Sequence, residues 1–291
     1  MESFVTLECI DNDEMAEARR NELDISRDLA IYRTRVIKQT VESGIYEDAA
    51  RNQVDWRSDV VEACVAKRSL PPWHELPPVN ARFSGPTRIQ VSNETTLVAA
   101  IRLVDQGLKP LVLNFANGIT PGGGFLSGSR AQEETLCRSS SLYWTLVGDP
   151  MYLYHSYREE PDSTDWAILS PRVPFIFSDT QQPLAQCQYL DIITSAAPYA
   201  CTLGWPKSRP LLKSRIHRVL HIANAMGYES LVLGAWGCGA FGNDPEMTAA
   251  DFKSAIAGDF RNCFSEIAFA ITDWSPERRF LGPFRDAFAQ K

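Results

Sequence analysis

Apolar positions along this chain follow two rhythms. Between residues 14 and 44, Ile25, Leu29, Tyr32, Val36 and Val41 recur at roughly helical spacing with charges between them, which predicts an N-terminal helical segment burying one face. Pro71, Pro72, Pro77, Pro78 and Pro86 then rule out a helix, so residues 69–86 read as an extended connection. From Thr87 onward, short β-prone runs alternate with helical ones. Strands are predicted over 88–91, 111–115, 174–177, 190–194, 231–233 and 267–271, and helices over 95–106, 131–146, 211–226, 247–257 and 277–289. The runs around 111 and 231 are apolar at successive positions, as interior strands covered on both faces require. The pattern predicts an α/β fold with helices layered over a central sheet, residues 1–86 leading into a core of residues 87–291.

Charge and cysteine content narrow the setting. The chain has 29 Lys and Arg against 36 Asp and Glu, a net charge of −7, which opposes nonspecific attraction to nucleic acid or an anionic membrane. A polyanionic ligand would need a local basic or backbone-donor site. No apolar run approaches the ~18 residues of a membrane span. The first twenty residues, with Glu2, Glu8, Asp11, Asp13 and Glu14, lack the basic-then-apolar order of a secretion signal. Seven scattered cysteines predict free thiols in a reducing compartment, cytoplasmic or nuclear. His217 and His221 lie four apart with no third ligand nearby, and no Cys-x-x-Cys occurs, so they read as solvent-facing and no metal site is predicted.

Two glycine-rich segments follow predicted interior strands. The first runs from Asn114 through Asn117, Gly122-Gly123-Gly124 and Ser129 to Gln132-Glu133-Glu134. Three consecutive glycines permit positive φ and let a ligand approach the backbone without Cβ interference. The plainer alternative is a strand-to-helix turn, with Ser129 and Gln132 as a capping box and the two acids near a positive helix end. The second segment, Gly234 to Pro245, contains Gly237-Cys238-Gly239-Ala240-Phe241, whose amides can converge on an anion ahead of a helix. It lacks the Gly-Lys-Ser/Thr of a phosphate-binding P-loop. Cys238 has a competing reading as a nucleophile near a helix start, although no histidine is close in sequence to pair with it. Ligands of open α/β sheets bind outside the carboxyl ends of strands, so the two loops together would bracket a phosphorylated sugar.

These residues resemble the microbial-type poly(ADP-ribose) glycohydrolase family, whose catalytic core is a macrodomain. The motif that carries the resemblance is Gly122-Gly123-Gly124, seven intervening residues, then Gln132-Glu133-Glu134. It extends through Asn114-Phe115-Ala116-Asn117, Cys137 to Tyr143, Val91 to Leu97, Ile193 to Pro198 and the loop from Gly234 to Pro245. With Glu42 to Tyr46 in the leading segment, it spans roughly residues 27–291. The resemblance implies a three-layer α/β/α macrodomain with a mixed sheet and an N-terminal helical extension that is not an independent domain. It implies poly(ADP-ribose) on modified proteins as substrate and catalysis without metal or cofactor. Carried over by position, Glu134 would be catalytic, with Glu133 orienting ribose hydroxyls. Asn117 and Gly122 to Gly124, in the motif shared with Gln132, would hold the ribose. Gly237, Cys238, Gly239, Ala240 and Phe241 would cradle the diphosphate, with Phe241 on the adenosine side and Ala197 and Pro198 near the adenine. Tyr199 departs from the asparagine expected there.

Cleavage at the anomeric carbon calls for a proton on the leaving oxygen and then an activated water, both within reach of one carboxyl group. Burial, the adjacent Glu133 and the diphosphate would favour the neutral form of Glu134; the helix end would oppose it. Two other functions use the same pocket: a mono-ADP-ribosyl-protein hydrolase and a non-catalytic ADP-ribose reader. The acidic pair argues against the reader, which gains nothing from extra negative charge beside an anion.

Overall fold

The computed structural model describes residues 3–289. In chain order it contains β1 (Phe4–Thr6), α1 (Asp13–Leu23), α2 (Arg27–Ser43), β2 (Ile45–Glu47), β3 (Gln53–Asp55), α3 (Arg57–Ala66), β4 (Arg68–Leu70), β5 (Thr87–Ser92), α4 (Thr96–Asp105) and β6 (Pro110–Ala116). A 3-10 turn (Phe125–Ser127) leads into α5 (Gln132–Ser139), α6 (Leu142–Leu146), α7 (Pro150–Ser156), β7 (Ala167–Phe177) and β8 (Pro183–Ala196). There follow α8 (Ala200–Leu203), α9 (Trp205–Ala225), β9 (Ser230–Leu233), α10 (Pro245–Ala257), β10 (Glu266–Ala270) and α11 (Leu281–Phe288).

Eight strands form one mixed sheet in the order β1-β5-β10-β9-β6-β8-β7-β4. The strands from β1 to β8 in that order run parallel, and β7 and β4 pair antiparallel at the far side. Interior strands put successive apolar residues on opposite faces. Leu111, Leu113, Leu231, Leu233, Ile267 and Phe269 join a core with Ile216 of α9, Phe252 of α10 and Phe284 of α11. Val112, Val232, Ala268 and Ala270 face the other way, onto Leu97 of α4, Leu136 of α5, Leu142 of α6 and Ile37 of α2. The result is a three-layer α/β/α fold, with both sheet faces dry as the unbroken apolar runs predicted.

Several predicted elements change shape. The helix expected over 14–44 is two helices, because Ser26 turns extended and caps α2 by accepting from the N–H of Leu29. The helix expected over 131–146 stops at Ser139. Ser140 is extended, its hydroxyl donates to the carbonyl of Leu136, and the chain swings out to bridge Phe175 on β7. Residues 69–86 are not wholly a connection, since Arg68–Leu70 pairs with Ala167–Leu169. The helix expected from 211 begins at Trp205, with Pro206 in its first turn. The last helix starts at Leu281 instead of 277. His217 pairs with Asp259 at 3.2 Å and His221 contacts the carbonyl of Pro77 at 2.6 Å. Among the described residues, no helix is long and apolar enough to cross a membrane.

Candidate active site

β9, β6 and β8 are adjacent parallel strands, so the loops leaving their carboxyl ends lie side by side. β9 pairs with β6 only through Val112, which leaves the peptide groups beyond it open. Gln132 fills that gap. Its side-chain amide donates to the carbonyl of Leu113 (2.8 Å) and accepts from the N–H of Phe115 (2.9 Å), standing in for the missing strand. The capping-box alternative fails, because the N-cap of α5 is Ala131 and no side chain caps it. Gln132 is instead the peg that fixes the start of α5 against β6.

Pegged in this way, α5 carries Glu133 and Glu134 in its first turn, both buried. The two carboxylates converge on Gly123 but are bonded differently. Glu133 accepts from the N–H of Asn117 at 2.7 Å through Oε2 and from the amide of Asn114 at 3.2 Å through Oε1. Glu134 accepts from the N–H of Gly124 at 2.8 Å through Oε1, while its buried Oε2 has no partner. Burial is the largest influence on Glu133 and pushes it up from 4.5 to about 8, with the Asn117 N–H opposing and the Glu134 charge adding.

The triple glycine has a reason in this packing. At Gly123, where φ is +58°, a Cβ would stand 2.4 Å from Oε1 of Glu134 and 2.9 Å from Oε2 of Glu133. At Gly124 it would meet the Ser129 hydroxyl at 1.9 Å. Gly123 thus makes room for the protein's own carboxylates, and Gly124 for the Ser129 side chain. The Asn117 side chain folds back to accept from the N–H groups of Ile119 and Thr120, both at 2.9 Å. Behind this turn, buried His155 holds the carbonyl of Gly118 through Nδ1 at 3.0 Å and Thr164 through Nε2 at 2.7 Å. Burial pushes His155 down to about 4, so the neutral ring donates from Nδ1.

The second loop lies opposite. Gly237, Gly239, Ala240 and Phe241 line a cleft of about 600 Å³ together with Asn117, Gly124, Gln132, Glu133, Glu134 and Ala197. Among the described residues, the N–H groups of Gly239, Ala240 and Phe241 meet no protein acceptor. Cys238 differs. Its N–H donates to the carbonyl of Ala235 at 3.1 Å, its thiol turns to the carbonyl of Trp236, and burial pushes that thiol up to about 12. This chemistry contradicts the nucleophile reading. Gly122 lies buried beneath the cleft wall, and Pro198 is set behind it, its carbonyl held by Asn243 at 2.8 Å. Tyr199 packs edge-on against Phe241, with ring centroids 5.4 Å apart.

The cleft continues into a second cavity of about 310 Å³, lined by Thr95, Asp179, Ile271, Trp274 and Phe280, with Phe115, Arg130 and Gln132 on the shared wall. Both volumes fall in the range of small-molecule sites, roughly 300–1,000 Å³. Sequence reasoning missed Arg130, Asp179, Trp274 and His155, which reach the site from separate loops or from behind it. Asp179 sits where burial pushes its carboxyl up to about 6, and it accepts a 2.6 Å bond from the Thr95 hydroxyl.

The family model described as microbial-type PARG, catalytic domain, matches residues 34–178. A solved poly(ADP-ribose) glycohydrolase (PARG) from Thermomonospora curvata is 34% identical, with a TM-score of 0.85, covering 90% of this chain and 100% of its own. This chain belongs to the microbial-type PARG family. The T. curvata enzyme has also been solved bound to the inhibitor ADP-HPD, at 33% identity and a TM-score of 0.81 over 89% of this chain and 99% of that one. The PARG of Deinococcus radiodurans in complex with ADP-ribose is 34% identical, with a TM-score of 0.72 over 78% of this chain and 96% of its own. No curated protein sequence matches. The PARG family model takes in Asn117 to Glu134 but ends before the loop at 234–245.

Proposed function

We propose that this chain hydrolyses the O-glycosidic linkages of poly(ADP-ribose), releasing ADP-ribose, with Glu134 as the catalytic acid and base. The observation behind this is the unequal bonding of two neighbouring acids. Both oxygens of Glu133 hold the Asn114–Asn117 framework, whereas Oε2 of Glu134 is buried, unpartnered and in the wall of the cleft. An unsatisfied buried carboxyl oxygen is costly, and it is tolerated where a ligand completes it.

In this scheme the proton on Oε2 passes to the oxygen leaving the anomeric carbon as that C–O bond breaks and positive charge spreads over the sugar. The remaining carboxylate then takes a proton from the water that bonds to the anomeric carbon, which restores the acid. The Gly124 N–H keeps Oε1 in place throughout. Glu133 fixes Asn117 and offers its remaining lone pairs to ribose hydroxyls. The free N–H groups from Gly239 to Phe241 receive the diphosphate, and Phe241, braced by Tyr199, lies along the adenosine side. The substrate is the polymer on modified proteins and not nucleic acid, in keeping with the net charge of −7. The setting is intracellular, where the scattered thiols stay reduced.

The test offers purified protein both poly-ADP-ribosylated and singly modified target. Release of ADP-ribose from the polymer by the wild type is expected. Glu134→Gln should abolish that release while still binding ADP-ribose. Rapid turnover by the variant would reject the role of Glu134, and a wild type that frees nothing from either substrate would reject the activity.

A further inference from the structure

One basic side chain stands where the two cavities join. Among the described residues that line them, Arg130 is the only Lys, Arg or His, and it shares one lining with Glu133 and Glu134 and the other with Asp179. Its guanidinium is drawn to the elbow between α1 and α2. Nη1 donates to Asp24 at 3.0 Å and also to the carbonyl of Ile25, and the side chain stays 45% exposed. Leu23, from the same elbow, lines the second cavity.

This is a poor place for a cation that serves stability alone. Arg130 immediately precedes the N-cap of α5, at the positive end of the helix dipole, where a basic group is disfavoured. Its one ion pair is exposed on both sides, a geometry that contributes little. Both penalties reverse once an anion enters the junction. The amides of the second loop supply hydrogen bonds but no net charge, whereas a guanidinium supplies charge and a planar fork for two phosphate oxygens.

We propose that Arg130 determines specificity for the anionic part of the ligand, the diphosphate of an ADP-ribose unit, and that the α1–α2 elbow holds it ready at the junction. The inference rests on the function proposed above and adds a residue to it. Arg130 supplies a net positive charge to a junction whose other described lining residues offer an anion only hydrogen bonds. The elbow through Leu23 and Asp24 makes the N-terminal segment part of the ligand site, although it precedes the matched family region.

The experiment is calorimetric titration of the full-length wild type, Arg130→Gln and Arg130→Lys with ADP-ribose and with adenosine, at low and high salt. Melting curves check folding. Arg130→Gln should bind ADP-ribose roughly tenfold more weakly with a flatter salt dependence, and Arg130→Lys should fall between it and the wild type. Adenosine, which carries no phosphate, should bind all three alike. Unchanged ADP-ribose affinity in Arg130→Gln would overturn the inference, as would an equal loss for both ligands, which marks a merely structural wall. A wild type that binds ADP-ribose but cleaves no polymer would sink the catalytic reading alone. A wild type that fails to bind ADP-ribose would sink both.

Discussion

The hydroxyl of Thr34, buried on α2, donates to the carbonyl of Phe125 at 2.9 Å, tying the N-terminal helix to the residue directly after the triple glycine. Arg27 adds a second tie, its Nε donating to the carbonyl of Ser127 at 2.8 Å. Gly128 sits so close that a Cβ would press on Ile31 and on the Arg27 carbonyl at 2.8 and 2.9 Å. The loop that orients Glu134 is therefore clamped from outside the sheet. Thr34→Val keeps the shape and removes the donor. It should lower stability in urea by about 1–3 kcal/mol and lower kcat more than it raises KM. Equal kinetics in both proteins would show that the clamp does not reach the chemistry.

Gly123→Ala places a methyl group against both carboxylates in a backbone conformation that disfavours any side chain. Displacing Glu134 by about 1 Å should reduce turnover on the order of a hundredfold, with ADP-ribose affinity falling far less. Steady-state rates set beside a binding isotherm check this, and full activity in the variant would show that the packing of Gly123 is dispensable.

Glu133 and His155 give stability opposite slopes with pH. The folded chain keeps the proton of Glu133 from its ordinary 4.5 up to about 8, where the unfolded chain has already lost it, so this group makes stability fall as pH rises through that window. His155 stays neutral down to about 4 while the unfolded chain takes up its proton near 6.5, so its contribution is lost as pH falls from 6.5 to 4. Above 6.5 only the Glu133 slope remains of the two. The melting temperature should therefore drop from pH 6.5 to pH 8 in the wild type and drop less in Glu133→Gln. Identical drops would exclude Glu133 as the source.

Cys238→Ala should retain near-wild-type release of ADP-ribose, because the thiol is buried and its N–H is already committed to Ala235. Loss of turnover in a variant with an unchanged melting curve would reopen a role for the sulfur.

Residues with a single physical use were readable in the sequence. The apolar runs around 111 and 231 marked interior strands, and three glycines in a row ahead of two acids marked the loop, although the space they suggest for a ligand is taken at Gly123 by the chain's own carboxylates. What stayed hidden depends on neighbours distant in sequence. Gln132 acts as a surrogate strand only because β9 parts from β6 after Val112, and nothing near residue 132 reports that. Arg130, Asp179 and Trp274 meet around one cavity from three separate loops. β1 and β4 are three residues long, too short to show a period. The first half of β8 is only partly buried, and Gln186 and Gln188 interrupt its apolar residues, so no unbroken apolar run marks it. The break at Ser140 answers to β7, which lies thirty-five positions downstream at Phe175.

The two outermost strands of the sheet both come from the first 86 residues, with partners that are synthesised later. Phe4–Thr6 has no neighbour until Thr87–Ile89 exists, and Arg68–Leu70 waits until the ribosome has added everything up to Leu169. Each border strand therefore stays unpaired until a partner far along the chain has been made, with long-range closure as the slow step, and β9 and β10 near the middle of the sheet are added after both of those partners. A translation product that stalls after Leu169 would hold both border strands but lack β9 and β10, and so would expose open strand edges inside the sheet, the surfaces most prone to self-association.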